Sequence, residues 1–348
     1  MSPQDDDDVE EAPHPPQTTV LFGHRAAEAA LLAAYRAGRM PHGILIAGPR
    51  GIGKATLAYR MARFVLAHPD PTAASVHTAT SLAVEPEHPV ARRVAAQAHG
   101  DLLVLERTPN DKGVLRQQIA VDDVRRTISF FGATAGEGGW RIAIVDAVDE
   151  LNRAGANALL KVLEEPPERA LLLLVCHSAS RVLPTLRSRC SVLAMRPLAQ
   201  SDVARALAAS VGSAENDPQI EAAAVAADGS VARALGFLDE DALALRQRAL
   251  DELERLPSVN ANALHALGDA LAGTDPRPLG AFVDTVNAWL SRSLDHHGGV
   301  NGGLARLERL AEAWERINAA ARDAETYNLE RKPLVFSVFG LLAEVTRG

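Results

Sequence analysis

The sequence predicts an α/β protein: a parallel sheet covered by helices, followed by an all-helical remainder. Three observations predict it. Short apolar runs alternate with helical stretches between residues 20 and 198; a glycine-rich loop separates the first apolar run from the helix after it; and no strand-like run follows residue 198. With 348 residues, 47% of them hydrophobic, the chain holds too much apolar material for one compact core. The expected division is a disordered acidic tail over residues 1–18, an α/β domain over 19–198, a small helical domain over 199–240 and a helical C-terminal domain over 241–348.

The elements follow in order. Before Arg25 there is no Lys or Arg, while acids crowd positions 5–8, 10 and 11 among prolines, a composition that cannot bury a core. Residues 26–39 read as a helix, 43–47 as a buried strand and 54–67 as a helix. Residues 101–105 are a second strand, 121–130 a helix, 140–146 a third strand and 152–163 a helix. Residues 171–176 are a fourth strand and 191–195 a fifth. Apolar runs without alternation suit strands covered on both faces, as parallel sheets are. Beyond them, residues 201–210, 220–226, 230–238 and 242–256 read as helices. Leu304, Leu307, Leu310, Trp314 and Ile317 recur at spacings of three and four, which makes one apolar helix face. Pro333 suits the first turn of a last helix running through residue 342.

Composition removes several function classes. Charged residues are 23%, aromatics 4% and the net charge is −8, the balance of a mildly acidic soluble protein and not of one that coats nucleic acid. The longest uncharged apolar run, residues 170–176, is far short of the roughly 20 residues a membrane helix needs. The chain opens on acid where a secretory signal carries base, so a cytoplasmic location without membrane contact is expected. Cys176 and Cys190 are the only cysteines, too few for a disulfide framework or a four-cysteine zinc site. His68, His77, His88 and His99 lack the close pairing of zinc ligands, and no metal site is expected.

Gly48-Pro49-Arg50-Gly51-Ile52-Gly53-Lys54-Ala55-Thr56 stands between a strand and a helix, the context in which a Walker A loop works. Gly48, Gly51 and Gly53 let backbone N–H groups turn toward phosphate oxygens, and the helix N-terminus adds positive potential. Lys54 would reach the β- and γ-phosphates. It is one of four lysines against 32 arginines, and it stands where a flexible point charge suits the work. The loop departs from its pattern after the lysine. Ala55 replaces the hydroxyl residue that holds Mg²⁺, and Thr56 is displaced about 100° round the helix.

The third strand ends in Asp146, placed to bind a nucleotide's metal through water. In hydrolysing enzymes of the AAA+ class a glutamate comes next and activates the attacking water; here it is Ala147, which has no base to offer. Asp149 and Glu150 follow, as helix N-terminal acids or as a displaced base. Ala55 and Ala147 together predict a nucleotide site with weak or absent ATP binding and no working hydrolysis.

Asn157-Ala158-Leu159-Leu160-Lys161-Val162-Leu163-Glu164-Glu165-Pro166-Pro167, followed by Leu186-Arg187-Ser188-Arg189-Cys190, resembles the signature of bacterial DNA polymerase III clamp-loader subunits of the AAA+ class. Gly38-Arg39-Met40-Pro41-His42-Gly43 is similar too, and the likeness returns faintly at Asn328-Leu329-Glu330-Arg331-Lys332. It implies an AAA+ domain, a helical lid and a collar that joins a ring. Implied partners are the γ/τ ATPase subunits and δ, and through the complex the sliding clamp and primer-template DNA. It also implies that Arg189 enters a neighbour's ATP site as an arginine finger, with Arg187 the alternative. A second nucleotide-sensing arginine is expected near Gly229-Ser230-Val231-Ala232-Arg233, but Arg233 stands one position late and takes no such role. Two rivals remain at this point: an active γ/τ-like ATPase using Asp149 or Glu150, and an ATP-sensing adaptor outside replication.

Overall fold

The computed structural model describes residues 14–108, 116, 118–132, 139–273, 275–297 and 303–347. They fall into two compact units, Met1–Asp217 with Gly229–Ala232, and Pro218–Asp228 with Arg233–Gly348.

In the first unit the order is α1 (Arg25–Arg36), β1 (Gly43–Ala47), α2 (Lys54–Ala67), α3 (Ala74–Thr78), α4 (Pro89–Ala95), β2 (Leu102–Glu106), α5 (Val121–Gly132), β3 (Arg141–Asp146), a 3-10 turn (Val148–Glu150), α6 (Arg153–Glu164), β4 (Ala170–Cys176), α7 (Pro184–Arg187), β5 (Ser191–Ala194) and α8 (Gln200–Val211). The strands form one parallel sheet in the order β2-β3-β4-β1-β5. This is the α/β class expected from the sequence. Alternate residues of the central strands enter two cores. Ile44, Ile46, Ile144 and Leu173 meet Leu57, Met61 and Phe64 of α2, while Leu45, Val145 and Leu174 meet Val124 of α5 and Leu159 of α6. Both faces are therefore apolar, which is why the strands read as unbroken hydrophobic runs.

Boundaries moved by a few residues for local reasons. α1 stops at Arg36 because Gly38 adopts φ 62° and turns the chain toward β1. Asn152 caps α6, accepting from the Gly155 N–H at 2.8 Å. The short helices α3 and α4 were not anticipated. His88 caps α4 through Nδ1, which accepts from Val90 N–H at 3.2 Å, and His99 accepts from Asp101 N–H at 3.2 Å.

The tail expected over residues 1–18 lies outside the described residues up to residue 13. Residues 14–18 depart from that expectation, because Pro16 is buried and α2 holds their carbonyls. Arg63 Nη2 donates to Thr18 O at 2.6 Å and to Pro15 O at 3.3 Å, and Arg60 donates to Thr19 O.

The second unit contains α9 (Pro218–Ala226), most of α10 (Val231–Gly236), α11 (Glu240–Glu254), α12 (Ala261–Ala270), α13 (Pro276–His297), α14 (Gly303–Thr326) and α15 (Arg331–Arg347). Leu310 and Ile317 are buried and Trp314 is half-buried, as the helical spacing required; the side chains of Leu304 and Leu307 lie outside the described ones. Arg331 is buried at the start of α15, where Nη1 donates to Leu271 O at 3.3 Å and to Asp275 O, closing the end of α12. Asn287 of α13 and Asn318 of α14 exchange amide hydrogen bonds at 3.0 and 2.9 Å. Among the described residues no helix is long and apolar enough to cross a membrane.

The fully buried Leu173, in the middle of the sheet, sets a stability prediction. Leu173→Ala should cost about 2–5 kcal/mol, while Val192→Lys at the exposed edge strand should stay within about 0.5 kcal/mol. Urea unfolding of both variants checks this, and equal losses would contradict the core assignment.

Candidate functional site

β1 runs into the glycine-rich loop at the carboxyl edge of the sheet, where the loop is fixed by close packing. Gly48 N–H donates to Cys176 O at 3.2 Å, and a Cβ on Gly48 would stand 2.4 Å from Met195 O. Gly51 and Gly53 hold φ of 72° and 95°, a region open to glycine at no steric cost. The segment 229–232 closes over the loop. Val231 N–H and Ala232 N–H both donate to Gly51 O, at 2.9 and 3.3 Å. A Cβ on Gly51 would lie 2.3 Å from Ser230 Oγ and 2.6 Å from Ala232 Cβ. Where the resemblance led one to look for a sensing arginine, a methyl group packs on the loop, and Arg233 turns to Asp228 at 3.4 Å instead.

Lys54 opens α2 and is 3% exposed, with its ammonium donating to Pro49 O in the loop itself. Burial lowers its pKa to about 8, against the pull of Asp146 and Asp149. Asp146, at the end of β3, moves the other way. Burial raises it to about 6, Lys54 draws it down, and Glu150 and Glu106 push it further up. Between these values the lysine is charged and the aspartate ionised.

The two acids that could replace the missing base are both engaged. Asp149 accepts from His177 N–H at 2.9 Å and Ser178 N–H at 3.1 Å, so its carboxylate caps the chain leaving β4. Glu150 is gripped by two guanidiniums, Arg50 of the loop and Arg107 Nε at 2.8 Å. His177 is held neutral, its pKa pushed down to about 3 by burial and then by Lys54, Arg50 and Arg107. A cleft of about 740 Å³ opens beside Asp146, Ala147 and Glu150, walled by residues 14–17 and Tyr59. Ala55 is packed against the core and Thr56 is half-buried on the first turn of α2.

The structure thus gathers Gly48, Gly51, Gly53, Lys54, Thr56 and Asp146 at the carboxyl edge of the sheet. Arg189 is not among them. It lies just before β5, and β5 pairs in parallel with β1 so that Ile44 meets Ser191. A Cβ on Gly43 would stand 3.7 Å from Arg189 O. Arg189 therefore sits at the amino edge, a strand's length of roughly 16 Å from its own phosphate loop. Its Nη2 pairs with Glu164 Oε1 at 2.9 Å and its Nη1 donates to Thr185 O at 3.0 Å. Arg187 is exposed and has no ion pair among the described residues. Reading the sequence missed the closure by residues 229–232, the Arg50–Glu150–Arg107 grip and the Glu164 contact. Only the last left a sequence signal, two acids at a helix C-terminus where the dipole disfavours them.

Comparison with known proteins gives consistent relatives. The family model described as "DNA polymerase III, delta subunit" matches residues 23–199, just over half of the chain. DNA polymerase III subunit delta′ of Pseudomonas aeruginosa is 38% identical over 149 residues, 43% of this chain and 41% of that protein. DNA polymerase III subunit gamma/tau of Mycobacterium tuberculosis is 33% identical over 171 residues, 49% of this chain and 27% of that protein. The chain thus spans well under two thirds of the length of these relatives. A solved DNA polymerase III gamma subunit-related protein of Thermotoga maritima is similar at a TM-score of 0.45 and 16% identity, over 91% of this chain and 99% of that one.

Burial of Lys54 carries a stability signature. The unfolded lysine keeps its proton to about 10.5 and the folded one loses it near 8, so stability rises as pH climbs between the two. The stability of the parent should therefore rise between about pH 8 and pH 10 relative to that of Lys54→Met, which lacks the titrating group. Unfolding of both proteins at the two pH values checks this, and a pH-independent difference would contradict the assignment.

Proposed function

The chain belongs to the DNA polymerase III delta-subunit family, and from that membership we propose that it is the δ′ subunit of a bacterial clamp loader. It joins γ/τ ATPase subunits and δ in a ring that opens the sliding clamp and sets it on primer-template DNA. In that ring it contributes no hydrolysis of its own and supplies Arg189 to the ATP site of a neighbour. The helices of residues 241–348 carry the association as a collar, and those of 199–240 serve as the lid.

One observation carries this reading: Arg189 and the phosphate loop stand on opposite edges of one parallel sheet. An arginine so placed does not serve the nucleotide of its own chain, while it is held toward solvent where another chain's phosphates are reachable. A guanidinium suits the work because it stays charged and donates two N–H groups to phosphoryl oxygens.

Support for the silent site is equally local. Ala147 offers no base, Asp149 is spent on backbone N–H groups and Glu150 on two arginines. The loop that would cradle phosphate already has Gly51 covered by Ser230 and Ala232, and Lys54 turned to Pro49. ATP binding is accordingly weak or absent, and the two acids an active γ/τ-like alternative would call on, Asp149 and Glu150, are both engaged. Membership in this family also sets aside an adaptor outside replication.

Two outcomes are expected. The isolated chain should show no steady ATP turnover; turnover that vanishes in Lys54→Ala would overturn the silent-site reading. In a reconstituted loader, Arg189→Ala should leave assembly intact, impair clamp loading and lower DNA-stimulated ATPase only in part. A finger is worth about 10³–10⁵ in rate at the site it serves, but the other sites keep theirs. Arg189→Lys should rescue little, and Arg187→Ala should matter less. Normal loading by the Arg189→Ala complex would defeat the proposal.

A further inference from the structure

We infer that Glu164 is a positioning residue for Arg189, fixing the guanidinium so that its remaining N–H donors face outward. The inference rests on the finger reading above and adds a second residue to it.

Glu164 is the last residue of α6, where a carboxylate meets the negative end of the helix dipole and is locally unfavourable. Lys161, one turn earlier, is exposed and makes no ion pair among the described residues; the carboxylate goes instead to Arg189 Nη2 at 2.9 Å. The second anchor comes from α7, where Thr185 O accepts from Nη1 at 3.0 Å. Each terminal nitrogen thus has one hold on its own chain, and Nε–H and the other donors stay unpaired among the described residues.

Both anchors stand on rigid ground. The end of α6 is tied to the start of β1 by His42 Nε2 against Leu163 O at 3.0 Å, and Leu163 is buried in the core. A Cβ on Gly43 would lie 2.6 Å from Leu163 Cδ2 and 3.2 Å from Cys190 Sγ, so strand, helix end and finger loop are packed without slack. α7 opens on Pro184, which presets its first turn, and Arg189 N–H closes it on Leu186 O at 3.1 Å. A half-exposed pair of this kind adds little to stability. Its effect is to remove the rotamer freedom a long arginine would lose on meeting a phosphoryl group.

The test is a double-mutant cycle in the reconstituted clamp loader, with assembly followed by size exclusion. Glu164→Ala should assemble normally and lower the DNA-stimulated ATPase kcat at the affected site on the order of tenfold, with KM for ATP unchanged. Glu164→Gln keeps an acceptor oxygen and should recover most of the rate; it also carries the test if Glu164→Ala does not fold. In the Arg189→Ala background, Glu164→Ala should do nothing further. Full activity of Glu164→Ala beside a defective Arg189→Ala overturns the positioning role and leaves the finger standing. Full activity of Arg189→Ala removes the finger itself. Additive losses in the double variant would show Glu164 acting on its own account.

Discussion

Parallel strand direction is the constraint from which the rest of this molecule follows. When every strand points the same way, all carboxyl ends share one edge of the sheet and all amino ends the other. The phosphate loop leaves β1 at the first edge, and Asp146 ends β3 beside it. Arg189 enters β5 at the second edge, against the start of β1. Covering both faces with α1 and α2 on one side and α5 and α6 on the other makes this separation rigid, because each central strand is buried twice. A chain organised this way offers two chemically distinct edges to its surroundings.

The carboxyl edge is electrostatically closed upon itself. Lys54 and Asp146 perturb each other inside a buried region, and burial works against the charge of both. Arg50, whose place in the loop would let it meet a ligand, is committed to Glu150, and Arg107 shares the same carboxylate. These pairs answer each other's charge within the chain. Residues 231 and 232 hold the Gly51 carbonyl, and the Lys54 ammonium rests on Pro49 O, so the loop's own polar groups are partly engaged within the chain.

How much of this the sequence discloses depends on the range of the interaction. Strands β1, β3 and β4 were legible because burial on both faces leaves only apolar residues to read, and the glycine-rich loop because its φ angles restrict the residue type. The short α3 and α4 were not, since helices of five and seven residues carry too little periodicity to stand out. Residues 14–18 read as tail because their anchor, Arg63, lies more than forty residues away and donates to backbone carbonyls, which leave no mark on residue type. Asp149 and Glu150 illustrate the same limit. Local spacing allowed either to serve as a base, and only distant partners, Ser178 for one and Arg50 for the other, show each carboxylate engaged.

The two edges differ in what they leave unspent, and this asymmetry bears on the proposed place of the chain in a ring. At the carboxyl edge the acids that follow Ala147, Asp149 and Glu150, have both found partners within the chain. At the amino edge, among the described residues, the guanidinium of Arg189 is held by the Glu164 ion pair and the Thr185 carbonyl, with its side chain 37% exposed. A subunit that hydrolysed its own nucleotide would need the opposite distribution, with free acids beside the loop and a hydroxyl after the lysine. Here the acids are satisfied and the lysine is followed by Ala55. The proposed role therefore looks outward, from an edge where Gly43 leaves no room for a Cβ against Leu163 and Cys190.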